Sequence, residues 1–111
     1  EAAATFYERQ LRLPAGKAGQ NYLRRRSLEE ETITRFRLGF APAGNACKTA
    51  LKRDGLDEAL LEEAGLLVRP DGRSAYDTFR DRVMFPITNA RGRVIAFGGR
   101  VLGEAQPKYL N

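Results

Sequence analysis

The fold of this chain is decided by residues 82–102, which read RVMFPITNARGRVIAFGGRVL. Val83 to Ile87 and Val94 to Leu102 are rich in β-branched and aromatic residues, and the segment Asn89 to Gly92 between them is typical of a hairpin loop. Pro86 has no backbone N–H, so its strand is predicted to lie at a sheet edge or to be locally bulged. The stretch therefore predicts an antiparallel hairpin.

The hairpin supplies most of the predicted core. Its apolar side chains are assigned to the interior: Val83, Phe85, Ile87, Val94, Ile95 and Phe97. Gly98-Gly99 gives up side-chain packing inside a strand, which predicts a bulge or the close approach of another backbone, such as a phosphate chain. Arg100 follows directly, and its planar fork of donors suits a phosphate.

Helical patterns fill the first half of the chain. An apolar stripe from Ala3 to Leu11 predicts one helix, and a second is predicted to end in the positive run Arg24-Arg25-Arg26. Ser27 and Glu30 have the spacing of a capping box, so Ser27 is predicted to open a third helix.

Glycines mark the ends of two further predicted helices. One is expected to end at Gly55, and the other to begin at Asp57 and end at Gly65. Leu66 to Val68 then forms a candidate strand. This order predicts an α+β fold, with several short helices followed by a small antiparallel β-sheet, in a single domain over residues 1–111.

Composition narrows the possible chemistry. The 111 residues, 42% of them hydrophobic, suit one compact domain. No run reaches the roughly 20 apolar residues of a membrane helix, and no secretory signal is present, so a cytoplasmic protein without a membrane partner is predicted. Cys47 is the only cysteine and histidine is absent, which leaves zinc without a ligand set. Because the sequence begins with Glu1, we expect a piece of a longer chain.

Charge is distributed unevenly along the sequence. The net charge is +5, with six basic residues against two acidic ones in residues 1–26, five against eight in residues 27–68, and eight against four in residues 69–111. If the two ends meet in the fold, this segregation predicts a phosphate-binding face.

Several motifs carry a family resemblance. They are residues 76–87, residues 92–102 and residues 107–111, with the upstream segments 22–28 and 35–42. In this order they are similar to the bacterial DNA primase family, over essentially the whole chain. The resemblance implies the N-terminal subdomain of the catalytic RNA polymerase core, the region that precedes the Toprim subdomain.

The resemblance implies a DNA-directed RNA polymerase that makes short primers at the replication fork. The partners it implies are a single-stranded DNA template, nucleoside triphosphates, the RNA primer, the Toprim subdomain and, through another domain, the replicative helicase. Magnesium held by the Toprim subdomain and zinc held by an N-terminal domain are expected in the parent protein, with no cofactor and no catalytic residue in this segment.

The resemblance also assigns roles to individual residues. The DNA-binding residues it implies are Arg26, Arg100 and Lys108. The residues it places in the nucleotide and active-site cleft are Lys108, Tyr109, Asn111, Arg80 and Arg82. Ser27 departs from the family, which often has glycine at this position.

Two other functions are compatible with the residues alone. One is a standalone basic module that binds single-stranded nucleic acid, and the other is a structural scaffold without DNA contact. The three tyrosine and phenylalanine side chains of Tyr22, Tyr76 and Phe79 suit packing better than base stacking. Cys47 is predicted to lie on the inner side of its helix and to be dispensable for DNA binding.

Overall fold

The computed structural model describes residues 1–102 and 108–111. The helices in these residues are α1 (Ala2–Arg12), α2 (Lys17–Arg25), α3 (Glu30–Arg35), α4 (Ala46–Arg53) and α5 (Glu58–Glu63). The strands are β1 (Gly39–Ala41), β2 (Leu67–Val68), β3 (Tyr76–Asp77), β4 (Arg82–Thr88), β5 (Val94–Val101) and β6 (Tyr109–Leu110). The predicted α+β class is confirmed.

The larger sheet has the antiparallel order β1-β4-β5-β6, and β2 pairs with β3 in a second, two-stranded sheet. The predicted hairpin is β4–β5, and the Asn89 side chain closes its loop by accepting the N–H groups of Arg91 and Arg93. Strand β1 pairs only as far along β4 as Met84, so Pro86 lies where β4 has one neighbour. The strand as a whole is therefore not the predicted edge strand: only its Pro86 end lacks a second neighbour, and the register shifts close by, between Ile87 and Thr88.

Helices cover the two faces of the sheet unequally. On one face, Tyr7 of α1 packs edge to face against Phe97 at 5.2 Å between ring centroids, within a core that includes Leu51 and Met84. Helix α1 lies so close to β1 that a Cβ on Gly39 would sit 2.6 Å from the Tyr7 backbone. On the other face, a smaller cluster joins α2 to the sheet through Leu11, Leu23, Ile33, Phe40 and Val83. Beyond this cluster the second face is open.

Four helices end in the same hydrogen-bonded turn. After α2, α3, α4 and α5 the residue two places beyond the helix has positive φ, and the next N–H reaches back to the carbonyl five residues earlier. The positive-φ residues are Ser27, Arg37, Gly55 and Gly65. The residues that follow them are Leu28, Leu38, Leu56 and Leu66, each placed to pack on an apolar residue of its own helix.

This turn corrects the prediction for Ser27. The serine has a φ of 63° and ends α2, whereas α3 begins after Glu29, which makes no side-chain capping hydrogen bond. The predicted ends at Gly55 and Gly65 and the cap by Asp57 on Ala59 are confirmed.

The paired glycines of β5 were also misinterpreted. Strand pairing runs without a break through Gly98 and Gly99, and the irregularity of the hairpin lies instead between Ile87 and Thr88. A Cβ on Gly98 would lie 2.4 Å from the Phe85 ring, and one on Gly99 would lie 3.0 Å from the Phe79 ring. The space over the two glycines is therefore filled by side chains of the protein itself.

Part of the predicted core is exposed. Val83 and Phe97 are buried as predicted, but Ile87 is 39% exposed and Ile95 is 61% exposed. Ile95 lies at the register shift of the hairpin, between Ala96, which pairs with Ile87, and Val94, which pairs with Thr88. Among the described residues, no helix is both long and apolar enough to cross a membrane.

Candidate nucleic-acid interface

A row of four side chains crosses the open face of the sheet. Phe40 of β1 is opposite Val83, Val83 is opposite Arg100, and Arg100 is opposite Tyr109. Because strand side chains alternate between faces, directly opposed residues share one face. Phe40 and Val83 are buried, Arg100 is half-buried and Tyr109 is 60% exposed. The row therefore runs from the core to solvent.

Helix α2 brings a second arginine to this row. Arg26 follows the last residue of α2, and its guanidinium carbon lies 5.5 Å from the centroid of the Tyr22 ring, one turn earlier. The guanidinium carbon of Arg100 lies 5.7 Å from the same ring and 5.1 Å from the Tyr109 ring. These are cation–π distances. The structure thus brings together two arginines predicted from the resemblance, although they are remote in sequence.

A groove of about 330 Å³ lies between these side chains. We call it the Tyr22 groove, and its lining residues are Tyr22, Leu23, Arg26, Leu28, Leu38, Val83, Phe85, Arg100 and Tyr109. Aliphatic side chains and Phe85 form much of its wall, while arginine and tyrosine side chains provide charge and ring faces. Proteins that bind single-stranded nucleic acid without sequence preference use cationic side chains to contact phosphates and aromatic rings to stack on bases.

The Arg100 side chain is held in place by more than the two rings. Its Nη1 donates to the carbonyl oxygen of Val101, and its Nε is buried without a hydrogen-bond partner among the described residues. The Val101 carbonyl and the rings of Tyr22 and Tyr109 are thus the groups that restrain the guanidinium.

Arg82, which the resemblance assigns to the nucleotide and active-site cleft, is buried against the backbone of the sheet. The residue is only 6% exposed, and its Nη1 donates to the carbonyl oxygens of Gly99 at 3.2 Å and Lys108 at 3.1 Å. Burial lowers the pKa of Arg82, and the positive charge of Arg100 lowers it further. Arg82 thus links β5 to Lys108, the residue before β6, and its Nη1 already donates to two backbone carbonyl oxygens.

The other predicted site residues lie outside the Tyr22 groove. Arg80 is exposed, with its guanidinium carbon 4.9 Å from the Tyr76 ring. Lys108 and Asn111 are exposed at either end of β6. The Lys108 carbonyl accepts the Val101 N–H, so alternation directs the Lys108 side chain to the face opposite Tyr109. The structure therefore does not bring the Lys108 side chain together with the two arginines, whose ring contacts lie on the Tyr109 face.

The sequence patterns did not indicate the contacts that two further residues, Tyr22 and Asp77, make. Tyr22 packs against the Leu23 cluster, as predicted, and its half-buried ring also contacts both arginines. Asp77 is 1% exposed, and its carboxylate accepts the N–H groups of Cys47 and Lys48, both at 2.9 Å, at the start of α4. Tyr22 had a local signal, since it lies one helical turn before Arg26, whereas nothing near Asp77 in sequence indicates its partners.

Comparison with known proteins places this fold. Residues 6–111 match the family model described as "DNA primase catalytic core, N-terminal domain". The chain belongs to this family. It is 54% identical over 109 residues to DNA primase of Salmonella typhimurium, covering 96% of the chain but 18% of that relative. It is also 54% identical to DNA primase of Pseudomonas aeruginosa, covering 99% of the chain and 17% of the relative.

Solved structures agree with the assignment to the primase family. A DnaG primase catalytic domain bound to single-stranded DNA superposes with a TM-score of 0.86 at 48% identity, over 97% of this chain and 35% of that one. The RNA polymerase domain of Mycobacterium tuberculosis primase gives 0.91 at 32% identity, over 99% of this chain and 37% of that one. The chain thus spans less than a fifth of the two curated primases and just over a third of these structures.

Proposed function

We propose that this chain is the template-holding part of a bacterial DNA primase, which makes short RNA primers on single-stranded DNA during replication. The observation that carries the proposal is the meeting of Arg26 and Arg100 on one tyrosine ring beside the Tyr22 groove. A related primase catalytic domain has been solved with single-stranded DNA, which supports a strand as the ligand of this surface.

The arginine and tyrosine side chains of the groove suit a template strand that has to be bound whatever its sequence. Arginine contacts to phosphate fix the strand without reading its bases, and their affinity falls as salt rises. The exposed Tyr109 adds a ring face at the solvent end of the row. Arg26, Arg100 and Lys108 would neutralise template phosphates, while Tyr109 and Asn111 would lie toward the nucleotide.

The remaining parts of the reaction belong elsewhere in the parent protein. Residues 1–102 and 108–111 contain no group of three metal-binding side chains, so the described residues do not fit a magnesium or zinc site. A structure of Aquifex aeolicus primase comprises zinc-binding and RNA polymerase domains, at 36% identity and a TM-score of 0.83 over 99% of this chain and 27% of that one. Magnesium in a Toprim subdomain, zinc in a separate domain, nucleoside triphosphates, the primer and the helicase complete the proposed assembly at the cytoplasmic replication fork.

Alanine substitution tests the proposal in the complete primase that contains this chain. Arg26→Ala, Arg100→Ala and Lys108→Ala should each weaken binding to single-stranded DNA to a similar extent for unrelated sequences. Each should also lower the slope of log affinity against log salt by about 0.7, because one phosphate contact is lost. Fluorescence anisotropy over a salt series measures both quantities.

Arg24→Ala is the matched control, because Arg24 is an exposed cation of the same helix that does not line the groove. Arg69 is a poorer control, since its guanidinium is paired with Glu58 and Glu62 and its loss would free two carboxylates. If Arg24→Ala weakens binding as much as the three other variants, attraction is diffuse and the assigned site is wrong. If none of them changes binding, the chain is a scaffold.

A further inference from the structure

Arg26 and Arg100 share one aromatic ring in the Tyr22 groove. Resting on the proposed function, we propose that Tyr22 is a positioning residue, whose ring holds Arg26 and Arg100 together so that both guanidinium groups meet the same stretch of template backbone. The ring lies 5.5 Å from one guanidinium carbon and 5.7 Å from the other. Tyr22 acts through these arginines and does not itself stack on a base.

The fold fixes the position of the Tyr22 ring between the two arginines. Tyr22 belongs to α2, and the next residue, Leu23, is 3% exposed in the cluster with Phe40 and Val83. That cluster fixes α2 on the sheet, so the ring position is set by the fold. Arg26 follows one helical turn later and Arg100 approaches from β5, so the ring is the point where two separate elements converge.

Bringing the two arginines together has an electrostatic cost. Two guanidinium groups repel each other, and the apolar wall of Leu23, Leu28 and Val83 reduces the screening by water. The negative face of an aromatic ring offsets part of this repulsion, because its quadrupole attracts cations. Arg100 has Tyr109 as a second ring at 5.1 Å, which restrains its guanidinium further.

Restraint before binding raises affinity. A free arginine side chain loses rotamer freedom when it grips a phosphate, and stacking removes part of that freedom in advance. The contacts of Tyr22 with Arg26 and Arg100 are made by its ring. Phenylalanine retains the ring and leucine does not, so the two substitutions separate ring stacking from simple apolar filling.

Binding of single-stranded DNA to the complete primase is the first test. Tyr22→Phe should bind within about twofold of the wild type, while Tyr22→Leu should bind about three- to tenfold more weakly at low salt, as expected for loss of two partly exposed cation–π contacts. Phe36→Leu is the matched control, because Phe36 is 58% exposed, stacks with Arg35 at 5.6 Å and does not line the groove. A control that weakens binding equally, or a Tyr22→Leu protein that binds normally, overturns the proposal.

A double-mutant cycle separates positioning from base stacking. In the Arg26→Ala/Arg100→Ala background, Tyr22→Leu should have almost no further effect, since the groups that it positions are gone. An undiminished loss in that background means that the ring contacts the strand itself, and the proposal is then wrong.

Arginine side-chain NMR provides a test that does not depend on DNA. Ring currents from Tyr22 should shift the δ-methylene protons of Arg26 and Arg100 away from their values in unstructured arginine, and Tyr22→Leu should reduce both shifts while circular dichroism stays the same. Unchanged arginine signals would overturn the proposal even if the proposed function holds. Normal DNA binding by the arginine variants would instead refute the proposed function.

Discussion

Asp77 and Cys47 meet in the interior at the start of α4. The Asp77 carboxylate accepts the backbone N–H of Cys47, and its own N–H donates to the Asn45 side chain at 3.0 Å. Burial raises the pKa of Asp77, and the amide hydrogen bonds of Lys48 and Cys47 offset part of the rise. The carboxylate thus satisfies free N–H groups of a helix that begins 31 residues earlier in sequence, joining β3 to α4.

The Cys47 thiol is enclosed by the same contacts. Cys47 is 1% exposed, and burial raises the pKa of its thiol to about 11. At pH 8 the folded protein should therefore hold the thiol protonated, and a thiol reagent should label it only when the chain opens. Labelling with a chromogenic disulfide reagent, with and without denaturant, measures this.

Replacement of the cysteine should affect stability and leave DNA binding unchanged. Cys47→Ala is expected to lower the free energy of unfolding by about 1 kcal/mol, because a buried sulfur is lost. Rapid labelling of the native protein at pH 8, or a tenfold loss of DNA binding by Cys47→Ala, would contradict this picture.

At the scale of elements, the turn after α2 determines how Arg26 enters the groove. The Ser27 N–H donates to the Arg24 carbonyl at 2.9 Å, and the Leu28 N–H donates to the Leu23 carbonyl at 3.1 Å. This pairing turns the chain sharply, so that Leu28 packs beside Leu23 and lines the Tyr22 groove. The non-glycine residue at this turn carries backbone strain, since its φ is 63°.

Ser27→Gly should stabilise the protein by about 0.5 kcal/mol, because relief of left-handed strain exceeds the added entropy of the unfolded chain. Ser27→Ala should change stability by less than about 0.5 kcal/mol, since alanine is strained in the same way. A capping serine would behave differently, with a loss of about 1 kcal/mol on replacement by alanine. Denaturant unfolding of both variants distinguishes the two geometries.

The same helix ends show which elements a sequence can reveal. Gly55 and Gly65 mark their turns because glycine adopts positive φ without a steric cost. Ser27 and Arg37 adopt it as well, but only the tertiary fold imposes it on them; Arg37, for example, is held by Glu1 at 3.0 Å and Glu8 at 2.9 Å. The local pattern therefore predicted the glycine turns and missed the other two.

Strand patterns have a similar limit. The β-branched and aromatic residues around the loop predicted the hairpin. Val94 and Ile95 were both assigned to the core, although neighbours on a strand point to opposite faces, and only Val94 packs against it. The glycine pair was recognised as unusual, yet only the structure shows that the Phe85 ring occupies the space over Gly98.

At the scale of the whole molecule, the fold brings the basic ends of the sequence together. Arg26 from the first basic region and Arg100 from the last meet at Tyr22. Acidic residues of the middle region pair locally, as Glu58 does with Lys52 at 2.9 Å and Glu62 with Arg69 at 3.1 Å. The condition on which the charge distribution predicts a phosphate-binding face, a meeting of the two ends, is thus met, while the position of the Tyr22 ring between them depends on how α2 packs on the sheet.

The isolated 111-residue chain should fold cooperatively and bind single-stranded DNA weakly, but it should not make primers. Nucleotidyl transfer to a primer requires metal ions held by clustered carboxylates, and residues 1–102 and 108–111 contain no such group. Incorporation of labelled ribonucleotides on a single-stranded template, with magnesium supplied, is the measurement, and the complete primase under the same conditions is the positive control. We expect the Arg100→Ala variant to lose DNA binding and neither form of the chain to incorporate nucleotides. This result would assign template binding to this domain and nucleotidyl transfer to another. Robust magnesium-dependent synthesis by the isolated chain would show that the division is wrong.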